Sequence, residues 1–238
     1  MNRSHLRSLL LALFLAFGAS TVTGCNGLHK IANAVGVKSK TVALKTKDLG
    51  STYSSLINTE WDFFSAKSGK ERIAVKYKTV GVKSIDNFNA SASMLYAQYM
   101  FADKLLEKTL TGVSSIFNIS LDNKTFNEII RAIQKRDIDQ ISQIRELKKI
   151  KTNITYAVKG TVGLVGRAQD IVNTGKDLVN NVVAEVSADP RRALLADVAL
   201  EQTKQSISRA SDVLKGAPGL IKKITSIADV LTSIVKLI

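Results

Sequence analysis

The chain has 238 residues, and its 34 Lys and Arg against 20 Asp and Glu give a formal charge of +14. That length is enough for a buried core; two prolines and 14 glycines exclude a collagen-like or disordered chain, and a mean hydropathy near zero excludes a polytopic membrane protein. One cysteine excludes an intramolecular disulfide, and the basic excess favours anionic partners such as nucleic acid, a membrane surface or an acidic polymer.

The first residues are laid out like a secretory signal. A basic start is followed by the apolar run 9–17, which is too short to span a bilayer permanently. The run leads into Val22-Thr23-Gly24-Cys25, which resembles the lipobox of bacterial lipoproteins. The resemblance implies cleavage between Gly24 and Cys25, diacylglyceryl transfer to the Cys25 thiol, and acylation of the new amine by palmitate or a similar chain. The alternative is an ordinary signal peptide with a chance cysteine.

The lipobox also bears on location. Two or more acyl chains anchor a protein durably, so we expect a lipid-anchored protein of the bacterial cell envelope. An aspartate after the cysteine resembles an inner-membrane retention signal, and position 26 is Asn instead. We therefore predict the outer membrane, facing the periplasm. Removal of residues 1–24 takes away two arginines and no acid, which leaves a side-chain charge of +12.

Residues 25–51 are predicted to form an acylated basic tether. Near anionic headgroups each of its lysines would contribute about 1 kcal/mol, less in salt. A plain solvated spacer is the alternative. The candidate anionic-surface residues are Lys30, Lys38, Lys40, Lys45 and Lys47.

The next segment, 53–82, gives a mixed pattern. Apolar residues up to Phe64 suit a helix, whereas Val75 and Tyr77 alternate with lysines as in a strand, which predicts a short extended segment near 70–82. The aromatic residues Trp61, Phe63 and Phe64 are interpreted as a core plug or, alternatively, as a membrane-facing patch.

From residue 85 the apolar residues recur every three or four positions, as in helices. A first helix is predicted over Ile85–Phe117, with Ser84 as N-cap and Asp86 in the first turn. One or two helices are predicted over 122–150, with either a break near Asp137 or a single helix that is covered on more than one side.

A single helix of about 50 Å is predicted over 153–187. Its glycines at 160, 163 and 166 are interpreted either as a close helix contact or as a stretch loose enough to unfold onto a membrane. After a corner, Asp189 is predicted as the N-cap of a new helix and Pro190 as its first helical residue. The segment 216–219 (GAPG) predicts the end of that helix before a last amphipathic helix to Ile238. The fold class is therefore all-α: one domain, 52–238, with an antiparallel bundle of five to six long helices.

Catalytic groups are hard to find in these residues. The Ser233 and Lys236 pair has dyad spacing but lies on a polar helix side, Asp137 and Asp139 point to different faces, and no phosphate loop occurs. We predict no enzyme activity, no catalytic or metal site and no cofactor.

Three functional hypotheses remain. The first is a non-enzymatic adaptor or accessory subunit of a membrane-associated assembly, with a basic surface for an envelope protein partner, anionic lipid, lipopolysaccharide or wall polymer. The second is a carrier of lipid or another hydrophobic ligand, or a membrane-inserting, remodelling protein. The third is an enzyme that uses only Asp, Ser and Lys. Nucleic acid is disfavoured because the protein is exported and its aromatic residues do not interleave with the basic ones.

Overall fold

A computed structural model describes residues 39–45, 72–135 and 141–236 of the chain. The expectations for the signal peptide 1–24, its cleavage site, the tether before residue 39, the aromatic cluster at 61–64 and the break near Asp137 lie outside these residues. Most described residues are helical, and two strands precede the helices. In chain order the elements are strands β1 (Lys40–Lys45) and β2 (Arg72–Thr79), then helices α1 (Lys83–Phe117), α2 (Phe126–Gln134), α3 (Ile141–Thr161), α4 (Leu164–Ser187) and α5 (Ala196–Lys236).

Helix α1 confirms the periodic stripe but not its predicted cap. The N-cap position is Val82, without a side-chain cap, so the prediction for Ser84 is wrong. The Ser84 hydroxyl donates instead to Glu185 of α4 at 2.8 Å. The predicted first-turn acid, Asp86, is present, and its carboxylate accepts bonds from the amides of Val80 at 2.7 Å and Gly81 at 3.0 Å. This carboxylate therefore fixes the entry of the chain into α1.

The single helix predicted over 153–187 is wrong at both its start and its middle. Helix α3 already begins at Ile141 and ends at Thr161, and α4 begins at Leu164. The interruption lies at Gly163, whose φ of +77° is a left-handed conformation that glycine adopts at little cost. A Cβ built on Gly163 or Gly166 would meet nothing within 4 Å, so neither is a close helix contact.

Helix α5 is continuous where the sequence predicts a boundary. The corner at Asp189 is confirmed, because its carboxylate accepts a bond from the amide of Arg191 at 3.0 Å. The prediction of Asp189 as N-cap and Pro190 as first helical residue is wrong, since a 3-10 turn at Ala193–Leu195 precedes α5, which begins at Ala196. The predicted break at 216–219 is wrong, since Pro218 lies inside the helix. Residues on either side of it, such as Val213, Ala217 and Leu220, are buried. Packing on both sides thus outweighs the amide hydrogen bond that a proline removes.

The long helices form three rods, of which two run parallel and the third runs antiparallel to them. Helices α1 and α5 run parallel, since Asn89 bonds Ser206 and Ser93 bonds Arg209 with nearly the same offset along the chain. Helices α3 and α4 follow each other as one interrupted rod that runs antiparallel to both: Gly175 faces Phe88, and Gly112 faces Ile150 further along α1. Within the described residues four long helices thus make three rods, and the bundle of five to six long helices expected is not confirmed. No helix among the described residues is long and apolar enough to cross a membrane.

The two strands lie against the α1 and α5 rods. They form an antiparallel pair, with Lys40 opposite Thr79 and Ala43 opposite Lys76. Leu44 and Val75 join the core cluster that includes Phe101 and Leu105 of α1. The extended segment predicted near 70–82 is therefore confirmed, and Lys40–Lys45, placed within the predicted tether, is its partner strand rather than a spacer.

Candidate anionic-partner interface

The paired strands place five basic residues within one small sheet. Neither strand, KTVALK or RIAVKYKT, contains an acidic residue. We call the two strands the basic sheet. Its charged residues are Lys40, Lys45, Arg72, Lys76 and Lys78.

The basic sheet is amphipathic because successive side chains of a strand point to opposite faces. Leu44 and Val75 are buried at 4% and 3% exposure, and Tyr77 packs against the core cluster. Thr41 and Lys76 are exposed, and Lys78 is half-buried. One face is therefore held by the bundle and the other presents hydroxyl and ammonium groups to solvent.

Two of the five predicted anionic-surface residues belong to this sheet. Lys40 and Lys45 occupy the two ends of β1, which fixes their backbones on the folded domain. Lys30, Lys38 and Lys47 lie outside the described residues, as do Gly24 and the predicted lipidation site Cys25. Lys40 and Lys45 thus lie on a strand of the sheet and not in a tether, and β2 adds three more basic residues.

Two side chains of α5 fasten the sheet to the bundle. Arg209 donates through Nη2 to the carbonyl oxygen of Lys76 and through Nη1 to the hydroxyl of Ser93, both at 2.9 Å. Gln202 accepts a bond from the amide of Lys78 at 3.0 Å. These bonds satisfy the edge of β2 that faces away from β1. The basic sheet is therefore attached through its backbone as well as through its apolar side chains.

The anchoring arginine has an unusual environment. Burial lowers the pKa of Arg209, and the charge interaction with Tyr96 opposes that effect. No carboxylate of the described residues lies within ion-pair distance of its guanidinium. A guanidinium stays protonated in proteins, so Arg209 adds a sixth positive charge at the outer edge of β2.

A buried polar pair lies next to this anchor. The hydroxyl of Ser206 donates to Asn89 Oδ1 at 2.7 Å, and both residues are almost fully buried. The Nδ2 group of Asn89 has no hydrogen-bond partner in the described part of the chain. Since a buried polar group is costly unless paired, this bond favours one offset between α1 and α5. The same offset brings Arg209 to Ser93 and so positions the anchor of the sheet.

A second basic surface lies on α3. Five basic residues occur along this helix against the single acid Glu146, to which Lys149 forms an exposed ion pair at 3.1 Å. The surface includes a shallow groove of about 440 Å³. The groove is lined by Ile144, Arg145, Lys148, Lys149 and Thr152. Like charges one turn apart repel each other by a few tenths of a kcal/mol, roughly 0.2–0.5, so an anion here would relieve that repulsion.

An apolar groove lies between α1 and α4. Its volume is about 480 Å³, and Met94, Leu95 and Ile171 supply its apolar lining. Arg167 and Asp170 also line it, and the groove is open to solvent. A carrier of acyl chains requires a concave, mostly enclosed apolar site. The groove has apolar character, but it lacks that enclosure.

The candidate catalytic groups are not brought together in the described residues. Ser233 donates its hydroxyl to the carbonyl oxygen of Asp229 one turn earlier at 3.0 Å, which uses the proton a nucleophile would give to a base. Asp137 and Asp139 lie outside the residues that the structure describes. Over residues 39–45, 72–135 and 141–236, no group of three or more His, Cys, Asp and Glu could hold a metal ion.

Sequence reasoning missed the anchor residues. Arg209 and Gln202 lie on the polar side of α5, where charged and amide side chains are expected at any exposed helix position. Arg209 bonds a residue 133 positions away and Gln202 one 124 positions away, so no local pattern marks either contact. The signal that was present is the acid-free composition of the two strands, which can be read directly from the sequence.

No protein-family model, curated protein or solved structure matches this chain.

Proposed function

We propose that this protein is a bacterial lipoprotein, anchored through Cys25 in the outer membrane and facing the periplasm, that acts as a non-enzymatic adaptor for an anionic partner. The observation that carries the proposal is the basic sheet: five basic residues and no acid on two strands fastened to a helical bundle. The proposed partner is an acidic surface of an envelope assembly, anionic lipid, lipopolysaccharide or wall polymer.

Fixed charges suit this role better than charges on a flexible chain. A lysine at an anionic surface contributes about 1 kcal/mol, and the field decays over roughly 8–10 Å at moderate salt. Lys76 and Lys78 lie two residues apart on the same face of β2, so they reach a partner together without the entropy loss of ordering a tether. The basic sheet therefore supports recognition as well as simple attraction.

The spacing between the anchor and the sheet also supports this function. Fourteen residues, 26–39, separate Cys25 from Lys40. A chain of that length spans at most about 50 Å even when fully extended. An acylated Cys25 would therefore keep the basic sheet within about one bundle length of the membrane, since α5 itself is roughly 60 Å long.

The carrier or membrane-inserting function is the second candidate. It is favoured by the apolar lining of the groove between α1 and α4. The adaptor ranks ahead because that groove is open and carries Arg167 and Asp170 beside its apolar residues. Each of these charges would have to lose water or move aside when an acyl chain bound.

The proposal separates into anchoring and binding, which are tested separately. Mass spectrometry of the protein from its native envelope is expected to show an acylated Cys25 and no residues 1–24. An unmodified thiol would refute the anchor. For binding, the mature chain with Cys25→Ser is sedimented with anionic vesicles and with wall sacculi, and native extracts are searched for co-purifying partners.

Matched charge variants locate the binding surface. Lys40→Glu with Lys76→Glu reverses two exposed charges of the basic sheet, and Lys222→Glu with Lys223→Glu makes the same charge change on the exposed side of α5. We expect the first pair to weaken binding to the anionic partner by about tenfold or more, and the second by much less. Equal effects would assign binding to net charge alone and would remove the sheet from the proposal.

A further inference from the structure

The two outer edges of the basic sheet differ in how their backbone groups are satisfied. In an antiparallel pair, residues alternate between positions that bond the partner strand and positions that point away from it. Lys76 and Lys78 are of the second kind in β2, because their backbone groups bond Arg209 and Gln202 of α5. The outer edge of β2 is therefore occupied by the bundle.

The register assigns the corresponding positions of β1. Thr41 lies opposite Lys78, and Ala43 lies opposite Lys76. Since Lys76 and Lys78 point away from β1, the backbone groups of Thr41 and Ala43 point away from β2. The sheet has two strands, and in the described residues no third strand pairs with this edge. An edge of this kind is a template for another strand.

Charge and backbone chemistry indicate which kind of molecule fits the outer edge of β1. A second copy of this edge would bring the lysines at the two ends of β1, Lys40 and Lys45, against the same cations, and like charges opposite each other are destabilising. A lipid headgroup offers phosphate oxygens that accept bonds from the amides but has few donors for the carbonyl groups. An extended peptide supplies donors and acceptors in alternation, and acidic side chains complement the lysines.

We propose that an extended acidic segment of a partner protein adds to the outer edge of β1 as a third strand. Its main chain bonds the backbone groups of Thr41 and Ala43, and its Asp or Glu side chains face the exposed lysine side of the sheet. This inference rests on the proposed function for the acidic nature of the partner and does not require the lipid anchor.

The test uses the mature chain with Cys25→Ser, labelled with ¹⁵N, and an eight-residue peptide in which Glu alternates with Val. Amide hydrogen exchange at Thr41 and Ala43 is expected to slow by about tenfold or more at saturating peptide. The amide of Val42 faces β2 and serves as the internal control, with no comparable change. A peptide with N-methyl groups on alternate amides keeps the charge but cannot pair, and it is expected to bind at least about tenfold more weakly.

A protein variant complements the peptide. Thr41→Pro removes an outward amide at an edge position, where proline is tolerated, and Thr41→Ala keeps the amide while removing the hydroxyl. We expect the proline variant to lose the peptide and the alanine variant to keep it. Because the N-methyl comparison uses the unaltered protein, the test remains decisive if Thr41→Pro fails to fold.

Each other outcome is informative. Salt-sensitive binding without amide protection, and equal binding of the N-methyl peptide, would show side-chain attraction alone and would overturn the added strand while leaving the adaptor function. Binding to anionic vesicles but not to the peptide would do the same in favour of a membrane partner. Thr41 and Ala43 amides already protected in the free protein would overturn the inference, because the edge would be covered by the chain itself. Failure to bind peptide, vesicles, sacculi and envelope proteins would refute both proposals.

Discussion

Gly175 of α4 lies where the three rods of the bundle meet. A Cβ built at this position would lie 2.8 Å from Cζ of Phe88 in α1 and closer still to Cγ1 of Ile207 in α5. Overpacking of this kind costs about 1–3 kcal/mol, and the higher helix propensity of alanine returns about 0.5–1 kcal/mol. Gly175→Ala should therefore lower the free energy of unfolding by about 1–2 kcal/mol. For a domain of this size the melting temperature should fall by about 2–8 °C.

The matched control is Gly219→Ala in α5, where a Cβ would meet nothing within 4 Å. Only the propensity gain applies there, so this variant should be stabilised by about 0.5–1 kcal/mol. Urea unfolding followed by circular dichroism compares both variants with the parent. If Gly175→Ala were as stable as Gly219→Ala, the rods would not be in contact at Gly175, and the offsets deduced for the bundle would be wrong.

Three further predictions concern the helix interior, the sheet anchor and a helix cap. Pro218→Ala restores an amide donor inside α5 and should raise the free energy of unfolding by about 1–3 kcal/mol in urea titrations; a loss of stability would show that the bundle needs the proline. Arg209→Met should lower the free energy of local opening of β2, measured by amide hydrogen exchange, more than the free energy of global unfolding, measured in urea. Equal losses of the two free energies would contradict a local anchor. The bonds from Thr125 to the Glu128 carboxylate lower the pKa of Glu128, so their contribution is complete at neutral pH and is lost as the pH falls through a value below 4.5. Carboxyl titration by NMR should show this pKa rising in Thr125→Ala, and an unchanged value would refute the cap.

Local patterns predicted the elements whose stability comes from one continuous apolar face. The stripe of α1 and the alternation in β2 were both readable because their burial follows a single period from end to end. The corner at Asp189 was readable because a short polar side chain bonds the backbone two residues on.

The boundaries that failed depend on contacts between rods. A helix with Pro218 inside continues only because both flanking turns are packed. Gly163, by contrast, takes a left-handed conformation within a run of helix-compatible residues, which ends α3. Gly175 is a glycine that permits close approach, whereas Gly163 and Gly166, which attracted that interpretation, have no neighbour within 4 Å of a Cβ. Composition alone does not distinguish a glycine that breaks a helix from one that admits a neighbour.

The sequence predicted that the candidate site is basic, but not that its residues lie together on one sheet. The sequence shows that Lys40 and Lys45 are basic and that few acids lie near them. Their pairing with β2 joins segments separated by residues 46–71, and no local pattern encodes that register. The anchor Arg209 is more distant still.

The binding surface also depends on the bundle for its stability. A two-stranded sheet is marginal in water by itself, and closing a connection as long as 46–71 costs about 3 kcal/mol in chain entropy. Burial of Leu44 and Val75 against α1, with the bonds from Arg209, must offset that cost. The basic sheet is therefore expected to open locally before the helices unfold, and a ligand strand would bind only the closed form. Partner binding and attachment of the sheet would thus stabilise each other. Loss of Arg209 would therefore weaken binding of the proposed peptide, even though Arg209 does not touch the outer edge of β1.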